Sequence, residues 1–381
     1  FCLAGYLPAE DAPGLVGELE SRFTLLAEVT QPGPQEDPPV KLKNNFFTEP
    51  VEGVVEGYSL PGRYEVDPSA VMAFFYYVLF GMMLSDAAYG LLTVVGSAFA
   101  LKKFPDMELK MRKTLRMFLF CGISTTVWGV LFGSYFGDAI PVIAQTFFHT
   151  EITVPALWFE PLDDPMRLLI FSFGVGVAHL FTGLGVQFYQ LAKQRKYADA
   201  LYDVVFWYLL VGGLIVVLLS TEIFQNIAEL PFVVPGPVAA VAGVLAGIGA
   251  VGILFTAGRE SRNPVKRFLK GLYGLYGVSS YLSDILSYSR LLALGLATSV
   301  ISTVFNQLGA MLGGGVVGAI FFAVVFLIGH SMNMAINLLG AYVHTNRLQF
   351  VEFFGKFYEG GGRAYAPFAA NTKHFQIKEE K

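Results

Sequence analysis

The stretch Gly277–Ala297 reads GVSSYLSDILSYSRLLALGLA and places one arginine, Arg290, inside an apolar helix-forming run. The run continues from Leu272 to Leu308, long enough for a helix that crosses a hydrocarbon core of about 30 Å. A guanidinium keeps its charge and costs several kcal/mol at the centre of a membrane helix. Arg290 therefore needs a counter-charge or water, and its surroundings are the first candidate site.

The composition of the whole chain indicates a membrane protein. Of 381 residues, 54% are hydrophobic and 15% are charged, against about 25% charged in an average soluble domain. This composition excludes an ordinary soluble enzyme. The formal net charge of −4 gives no basic surface for nucleic acid. The two cysteines lack metal-ligand spacing, so we expect no metal, no other cofactor and no nucleic-acid partner.

Seven apolar runs follow the first 67 residues. They are 71–101, 115–136, 168–191, 204–220, 232–257, 272–308 and 316–354. Lysine and arginine are concentrated in alternate connections, with six in 102–116, three in 193–196 and five in 259–270. Because basic loops remain on the cytoplasmic side of a membrane, these three connections are predicted to be cytoplasmic.

The first run, 71–101, must cross the membrane twice or not at all if the head of the chain is cytoplasmic. A single crossing would put the basic loop 102–116 outside, against its charge. Small and polar residues between Gly81 and Gly90 interrupt the run, where two short helices can turn inside the protein. We therefore predict an all-α integral membrane protein of about eight transmembrane helices. The alternative is one long tilted span with an external head.

The chain is predicted to have three parts. Residues 1–67 hold 12 acidic and 4 basic side chains and many prolines, which favours a short soluble remnant, the end of a cytoplasmic N-terminal domain, followed by a linker. Residues 68–358 form the transmembrane domain, and 359–381 form a cytoplasmic C-terminal tail. Because no Met or apolar leader begins the chain, we expect that it is the C-terminal part of a longer protein.

The last two runs are predicted to pair as a long hairpin. Each suits a helix of about 40 residues, or about 60 Å, so they must tilt, break or extend into water. Glycines 313–315 provide the turn. Equal rise on both sides of a turn near residue 312 places Arg290 level with about residue 334, and Arg347 nearer the cytoplasmic side.

Polar residues share one face of each hairpin helix. On the second helix they follow steps of three, four, seven and three residues, a helical period. These residues are His330, Asn333, Asn337, His344 and Arg347 on the second helix, and Ser283, Ser287 and Arg290 on the first. One face of each helix is therefore predicted to be polar through much of the bilayer.

The sequence leaves the counter-charge of Arg290 open. Asp284 is the nearest acid in its own helix but lies about 120° away around the helix. A structural role would pair Arg290 with Asp86, Asp138 or a lipid phosphate. The other interpretation is that no internal carboxylate neutralises Arg290 and that its partner belongs to another protein. A mobile carboxylate that meets this fixed charge gives up its ion.

Other polar residues are weaker candidates. His179 lies in an apolar run near Gly183 and Gly185, which favours a hydrogen-bonded packing residue over a proton relay. The sequence contains no phosphate-binding loop or nucleophile elbow. We therefore expect no catalysis by this chain alone.

Two stretches resemble subunit a of the V/A-type rotary ATPases, which is called subunit I in bacteria and archaea. They are Gly277–Ala297 and His344–Tyr358, HTNRLQFVEFFGKFY. Residues 42–45, LKNN, 58–68, and 80–90, FGMMLSDAAYG, are similar to the same family. The resemblance implies a non-catalytic stator subunit that forms two ion half-channels against a proteolipid ring and couples H+ or Na+ translocation to ATP synthesis or hydrolysis.

The resemblance also implies roles for individual residues. Arg290 falls on the essential arginine of the family, Arg347 on its second functional arginine, and His344 three residues before that. Some members have a glutamate ten residues before the second arginine, where this chain has Asn337. Ion access is therefore expected to rely on Asn337 and Asn333, on His330 and on serines.

The resemblance further implies the partners. They are the proteolipid ring (subunit c/K), the peripheral stalk subunits bound through the N-terminal domain, the central stalk assembly and membrane lipid. The location is a prokaryotic plasma membrane with both termini cytoplasmic. Two other classes compete with this function. A secondary transporter would bind substrate at its midplane charges, but the halves show no clear internal repeat. A membrane scaffold would leave the polar face unexplained.

Overall fold

A computed structural model describes residues 2–33, 36–222, 224–225, 234–259 and 263–367. The helices are α1 (Ala12–Arg22), α2 (Glu52–Tyr58), α3 (Ser69–Leu84), α4 (Ala87–Lys103), α5 (Leu109–Phe132), α6 (Ala139–Phe148), α7 (Pro165–Lys193), α8 (Tyr197–Ser220), α9 (Gly236–Thr256), α10 (Pro264–Ser287), α11 (Ser289–Ala310) and α12 (Val316–Arg347). The predicted start of the fifth run and most of the tail lie outside the described residues.

The described part of the chain is helical and contains isolated β-bridges but no strand. Six of its helical segments are long and apolar enough to cross a membrane. Two of these, Pro264–Ala310 and Val316–Lys356, reach 47 and 41 residues. This confirms an all-α integral membrane protein with two overlong helices near its end. The number of crossings, about eight, stays a prediction.

The first apolar run breaks within the predicted interval. Helix α3 ends at Leu84, Ser85 adopts a left-handed conformation with φ of 39°, and α4 begins at Ala87. Both helices pack on α5, α3 through Gly81 and α4 through Gly90. The two helices run in opposite directions along α5, so the chain reverses at residues 85–86.

A buried carboxylate fixes this reversal. Asp86 is 0% exposed, and it accepts hydrogen bonds from five donors. These are the backbone N–H groups of Ala88, Tyr89, Phe136 and Gly137 and the hydroxyl of Ser134. The carboxylate therefore caps α4 and ties the turn to the loop after α5.

The long hairpin is formed as predicted by α10 to α12. Helices α10 and α11 follow each other directly in sequence and are separated only at Tyr288, whose φ and ψ are −74° and −7°. Gly313 and Gly315 have φ of 71° and 132°, values that favour glycine, and they make the turn into α12. Helix α12 continues into a π-helical segment, Leu348–Phe353.

The segment predicted to be a linker is partly helical. It contains α2, and two glutamates near α2 pair with the start of α5: Glu52 with Lys113 and Glu49 with Arg116. Glu65 accepts hydrogen bonds from the backbone of residues 62, 359 and 360. The end of the chain beyond α12 is thereby joined to this segment. The division of the chain at residue 67 stays a prediction.

We predict that Asp86→Ala lowers the stability of the folded chain by about 3 kcal/mol or more, because several buried donors lose their acceptor at about 1–3 kcal/mol each. The measurement is the midpoint of thermal unfolding in detergent. The control is Asp164→Ala, which removes one exposed cap bond at the start of α7 and is expected to cost about 1 kcal/mol. Equal midpoints for the two variants would contradict the role given to Asp86.

Candidate functional site

Arg290 is the second residue of α11 and follows the helix break at Tyr288. Its side chain is 22% exposed, and its Nη1 atom lies 3.7 Å from an oxygen of Glu352, which is 2% exposed. That separation is too long for a hydrogen bond. Within the described residues, Nη1 of Arg290 and the other oxygen of Glu352 have no hydrogen-bond partner. The arginine is therefore paired by charge but retains an unsatisfied donor.

Glu352 corrects the expectation that no internal carboxylate is placed to neutralise Arg290. That expectation was wrong because the assumed hairpin register was wrong. Leu294 lies against Gly340, so Arg290 is level with about residue 344 rather than 334. After α11 ends at Ala310, the chain continues past this end before it reverses direction. The first helical turns of α12 therefore have no part of α11 beside them.

Three other polar residues surround this pair. His344 and Arg347 lie within electrostatic range of Arg290, and Ser287 lies beside Glu352. The Ser287 hydroxyl donates to the Ser283 carbonyl at 3.0 Å, while the Ser283 side chain is exposed. We call Arg290, Glu352, Ser287, His344 and Arg347 the arginine site.

The remaining residues of the predicted stripe lie in a separate cluster. His330 bonds through its two ring nitrogens to the Tyr89 hydroxyl at 2.6 Å and the Asn306 oxygen at 2.9 Å. The amide nitrogen of Asn306 donates to Asp138 at 2.9 Å. A continuous hydrogen-bonded path therefore joins Asp138 to Tyr89.

The path continues along α12. The amide nitrogen of Asn333 donates to Tyr89 at 3.0 Å and to Ser302 at 2.9 Å, and that of Asn337 donates to Asn333. We call this cluster the buried polar network. Its members are Tyr89, Asp138, Ser302, Asn306, His330, Asn333 and Asn337.

One end of the network borders a cavity. The cavity has a volume of about 220 Å³ and is partly open to the surface. Its polar lining includes Ser134, Asp138, Glu160, Ser299 and Thr303. A cavity of this size holds several waters, so water can reach the carboxylate of Asp138.

The three aspartates proposed as counter-charges are not partners of Arg290. Asp86 caps α4, Asp138 accepts from Asn306, and Asp284 forms an ion pair with Lys356. None of the three therefore neutralises Arg290, whose ion-pair partner among the described residues is Glu352.

Sequence reasoning missed four residues of these two clusters. Ser302 and Asn306 continue a polar series at four-residue spacing along α11, and extending the periodicity beyond Arg290 would have found them. Tyr89 lies in the quoted stretch 80–90 and Glu352 in the quoted stretch His344–Tyr358, but no periodic signal places either of them opposite a particular helix. Only tertiary packing brings them to the clusters.

Comparison with known proteins gives consistent relatives. Residues 278–370 match the model of the V-type ATPase 116kDa subunit family. The chain is 31% identical over 401 residues to the A-type ATP synthase subunit I of Methanocaldococcus jannaschii, covering 98% of this chain and 56% of that protein. It is 33% identical over 390 residues to the same subunit of Pyrococcus horikoshii, covering 100% and 55%.

A more distant relative is the V-type ATP synthase subunit I of Chlamydia pneumoniae, 24% identical over 425 residues that cover 96% of this chain and 60% of that protein. The chain therefore spans about half the length of the curated relatives it matches. The resemblance drawn from its motifs is confirmed along nearly its whole length. Residues 278–370 thus match the V-type ATPase 116kDa subunit family, and nearly the whole chain is similar to subunit I of A-type and V-type ATP synthases.

Proposed function

We propose that the chain is the membrane part of the stator subunit of an ion-translocating rotary ATPase. It forms ion half-channels against a proteolipid ring and couples H+ or Na+ translocation to ATP synthesis or hydrolysis on other subunits. The observation that supports this most directly is the incompletely paired Arg290 on the long hairpin. The name of the relatives, ATP synthase subunit I, agrees with this assembly.

The hairpin offers a surface on which a ring of apolar helices can move. Large apolar side chains on α11 and α12 are 44% to 64% exposed. They are Val300, Val304, Leu308, Ile336, Leu339 and Val343. Such a surface suits contact with lipid or with apolar proteolipid helices.

Arg290 acts on the ion through charge. A ring carboxylate that carries an ion is neutral, and a guanidinium nearby favours the charged form, so the carboxylate releases its ion. Glu352 lies close enough to hold the guanidinium between encounters but not close enough to satisfy it. An arriving carboxylate can therefore compete for the unsatisfied donor.

The buried polar network supplies one half-channel in this proposal. Water in the outer cavity reaches Asp138, and the hydrogen-bonded path leads through Asn306 and His330 to Asn333 and Asn337. Hydroxyl, imidazole and amide groups can both donate and accept. The path lets a proton or a small hydrated cation approach the ring without a fixed positive charge on the way.

The other half-channel lies at the arginine site, on the side where α12 passes into its π-helical segment. Ser287, His344 and Glu352 are its polar groups, with Ser283 one turn further along α10. Arg347, which is exposed, stands at the same end. Arg290 separates the two half-channels because its positive charge repels a cation that would pass directly between them.

The proposal also sets the location and the partners. The chain spans a prokaryotic plasma membrane with both termini in the cytoplasm, where its basic loops lie. Its partners are the proteolipid ring, the peripheral stalk subunits and, through the ring, the central stalk. The chain itself has no catalytic residue in this function.

We predict that Arg290→Gln abolishes ATP-driven ion pumping by the assembled complex in liposomes, because a neutral amide does not discharge the ring carboxylate. Pumping is measured by quenching of a pH-sensitive dye, or with a sodium tracer. ATP hydrolysis in detergent is measured on the same preparation.

The matched control is Arg259→Gln, which removes an arginine that pairs with Asp199 and Asp203 away from the hairpin. This variant is expected to keep its pumping. Full pumping by Arg290→Gln would overturn the proposed function.

We predict that Asn306→Leu slows pumping by roughly tenfold while leaving assembly intact, because it breaks the path between Asp138 and His330 and removes a hydrogen-bond partner from each of them. The control is Gln307→Leu at the exposed neighbouring position of α11. If the two variants pump at equal rates, the buried polar network is not an ion path.

We predict that the tagged protein, extracted from its native membrane in mild detergent, purifies with a small proteolipid and with ATP-hydrolysing subunits. The purified chain alone, in liposomes, is expected to show no substrate or ion flux. Isolation of the chain without those subunits, together with flux by the chain alone, would favour a secondary transporter instead.

A further inference from the structure

Helix α7 contacts residues that are neighbours in sequence of Arg290 and Glu352. The Tyr288 ring packs on the backbone of α7 at Gly176, where an added Cβ would lie 2.6 Å from the ring. Tyr288 precedes Arg290 by two residues. Phe353, which follows Glu352, packs at Gly183 of α7, where an added Cβ would lie 3.2 Å from its ring.

His179 lies between these two contacts on the same face of α7, three residues from Gly176 and four from Gly183. Its Nδ1 atom and the Tyr288 hydroxyl are 2.7 Å apart. Its ring stacks on Phe353, with centroids 4.3 Å apart and planes at 17°. One fully buried imidazole therefore contacts both neighbours of the charged pair.

Two aromatic rings pack on the imidazole. Besides Phe353, Phe75 of α3 contacts it, with centroids 4.4 Å apart, and the two phenylalanine rings lie 6.4 Å from each other. Gln349 lies beside the second ring nitrogen, although neither that nitrogen nor the Gln349 amide makes a direct hydrogen bond within the described part of the chain. The ring thus contacts α3, through Phe75, and the π-helical segment, through Phe353, and can transmit their positions to Tyr288.

We propose that His179 is a positioning residue that sets the separation of Arg290 and Glu352, and hence the strength with which the arginine is held away from the ring carboxylate. The proposal rests on the function proposed above. An imidazole is needed because it combines an aromatic face for Phe353 with a hydrogen-bonding edge for Tyr288. Phenylalanine provides only the first and glutamine only the second.

The contact between His179 and Tyr288 affects Arg290 because Tyr288 lies at the helix break. Tyr288 is the residue at which α10 and α11 are interrupted, so its placement determines where α11 and its second residue begin. The π-helical segment gives similar freedom to Glu352, because a π turn holds one more residue than an α turn and changes the face of the residues after it. His179 links the two irregular segments. Without this link, the positions of Tyr288 and of the π-helical segment would be independent of each other.

The test uses three variants in the assembled complex: Tyr288→Phe, His179→Phe and the two combined. Ion pumping and ATP hydrolysis are measured on the same liposomes, and their ratio reports coupling. We expect each single change to lower the ratio by roughly threefold to tenfold, since a small misplacement of a charged group lowers a rate steeply. The double variant is expected to be no worse than either single one, because both remove the same bond.

The control is Tyr208→Phe. It removes another tyrosine hydroxyl that bonds to α7, at the carbonyl of Phe181, and is expected to leave the ratio unchanged. His179→Gln keeps a hydrogen-bonding side chain but lacks the aromatic face. Its ratio of ion pumping to ATP hydrolysis is therefore expected to lie between those of the unchanged protein and His179→Phe.

A second measurement does not depend on pumping. In a chain with Cys2 and Cys121 replaced by serine, Arg290→Cys and Glu352→Cys are joined by a short bifunctional thiol reagent. His179→Phe is expected to lower the cross-linking yield at least threefold, whereas Tyr208→Phe leaves it unchanged.

The possible failures are distinct. If Arg290→Gln abolishes pumping while His179→Phe and Tyr288→Phe keep a normal ratio and a normal cross-linking yield, the positioning role is overturned and the proposed function stands. A loss of thermal stability with an unchanged ratio and yield would also overturn it, because that result describes packing alone. If Arg290→Gln pumps normally, the proposed function fails. The positioning role of His179, which rests on that function, then fails with it.

Discussion

The permanent charge of Arg290 inside an apolar hairpin is the constraint on which the rest of this structure depends. A lysine could lose its proton in such a place, but a guanidinium cannot. The counter-charge is Glu352, whose carboxylate lies 3.7 Å from Nη1 of Arg290. It is brought there by helix α12, which changes to a π-helical form after Arg347. A break at Tyr288 places the arginine at the very start of a new helix. Both irregularities lie beside the charged pair, and two regular helices would present these residues differently.

The buried carboxylate of Asp86 is stabilised in a different way, by hydrogen bonds. Asp86 is buried as deeply as Glu352 but receives five hydrogen bonds, so it serves only to lock the turn between α3 and α4. The contrast between the two carboxylates is informative. A buried charge with all its acceptors filled is structural, whereas a buried charge pair with unsatisfied atoms is a place where binding energy remains available.

The sequence predicted the parts of this arrangement that depend on local periodicity. The break in the first run followed from small and polar residues at 81–90, and the polar stripe of α12 followed from helical spacing. The register of the hairpin did not follow, since the assumed symmetric turn ignored the residues that extend beyond the end of α11. That error displaced Arg290 by about ten residues relative to α12 and concealed Glu352. The contacts of Tyr89 and Asp138 with the buried polar network could not be predicted for another reason: both residues come from segments far away in sequence, and no spacing rule relates them to α12.

In the proposed function, the separation of the two polar clusters determines the route of the ion. The buried polar network, from Asp138 to Asn337, is made of an aspartate and neutral donors and acceptors, so a cation that follows it meets no repulsion. The arginine site begins where this series ends, with two arginines in electrostatic range of each other. A cation leaving the network therefore faces a positive potential directly ahead. In the proposed function, its favourable route is sideways, onto a carboxylate of the ring, and a rotation of that ring is then required before the ion can leave on the other side of Arg290.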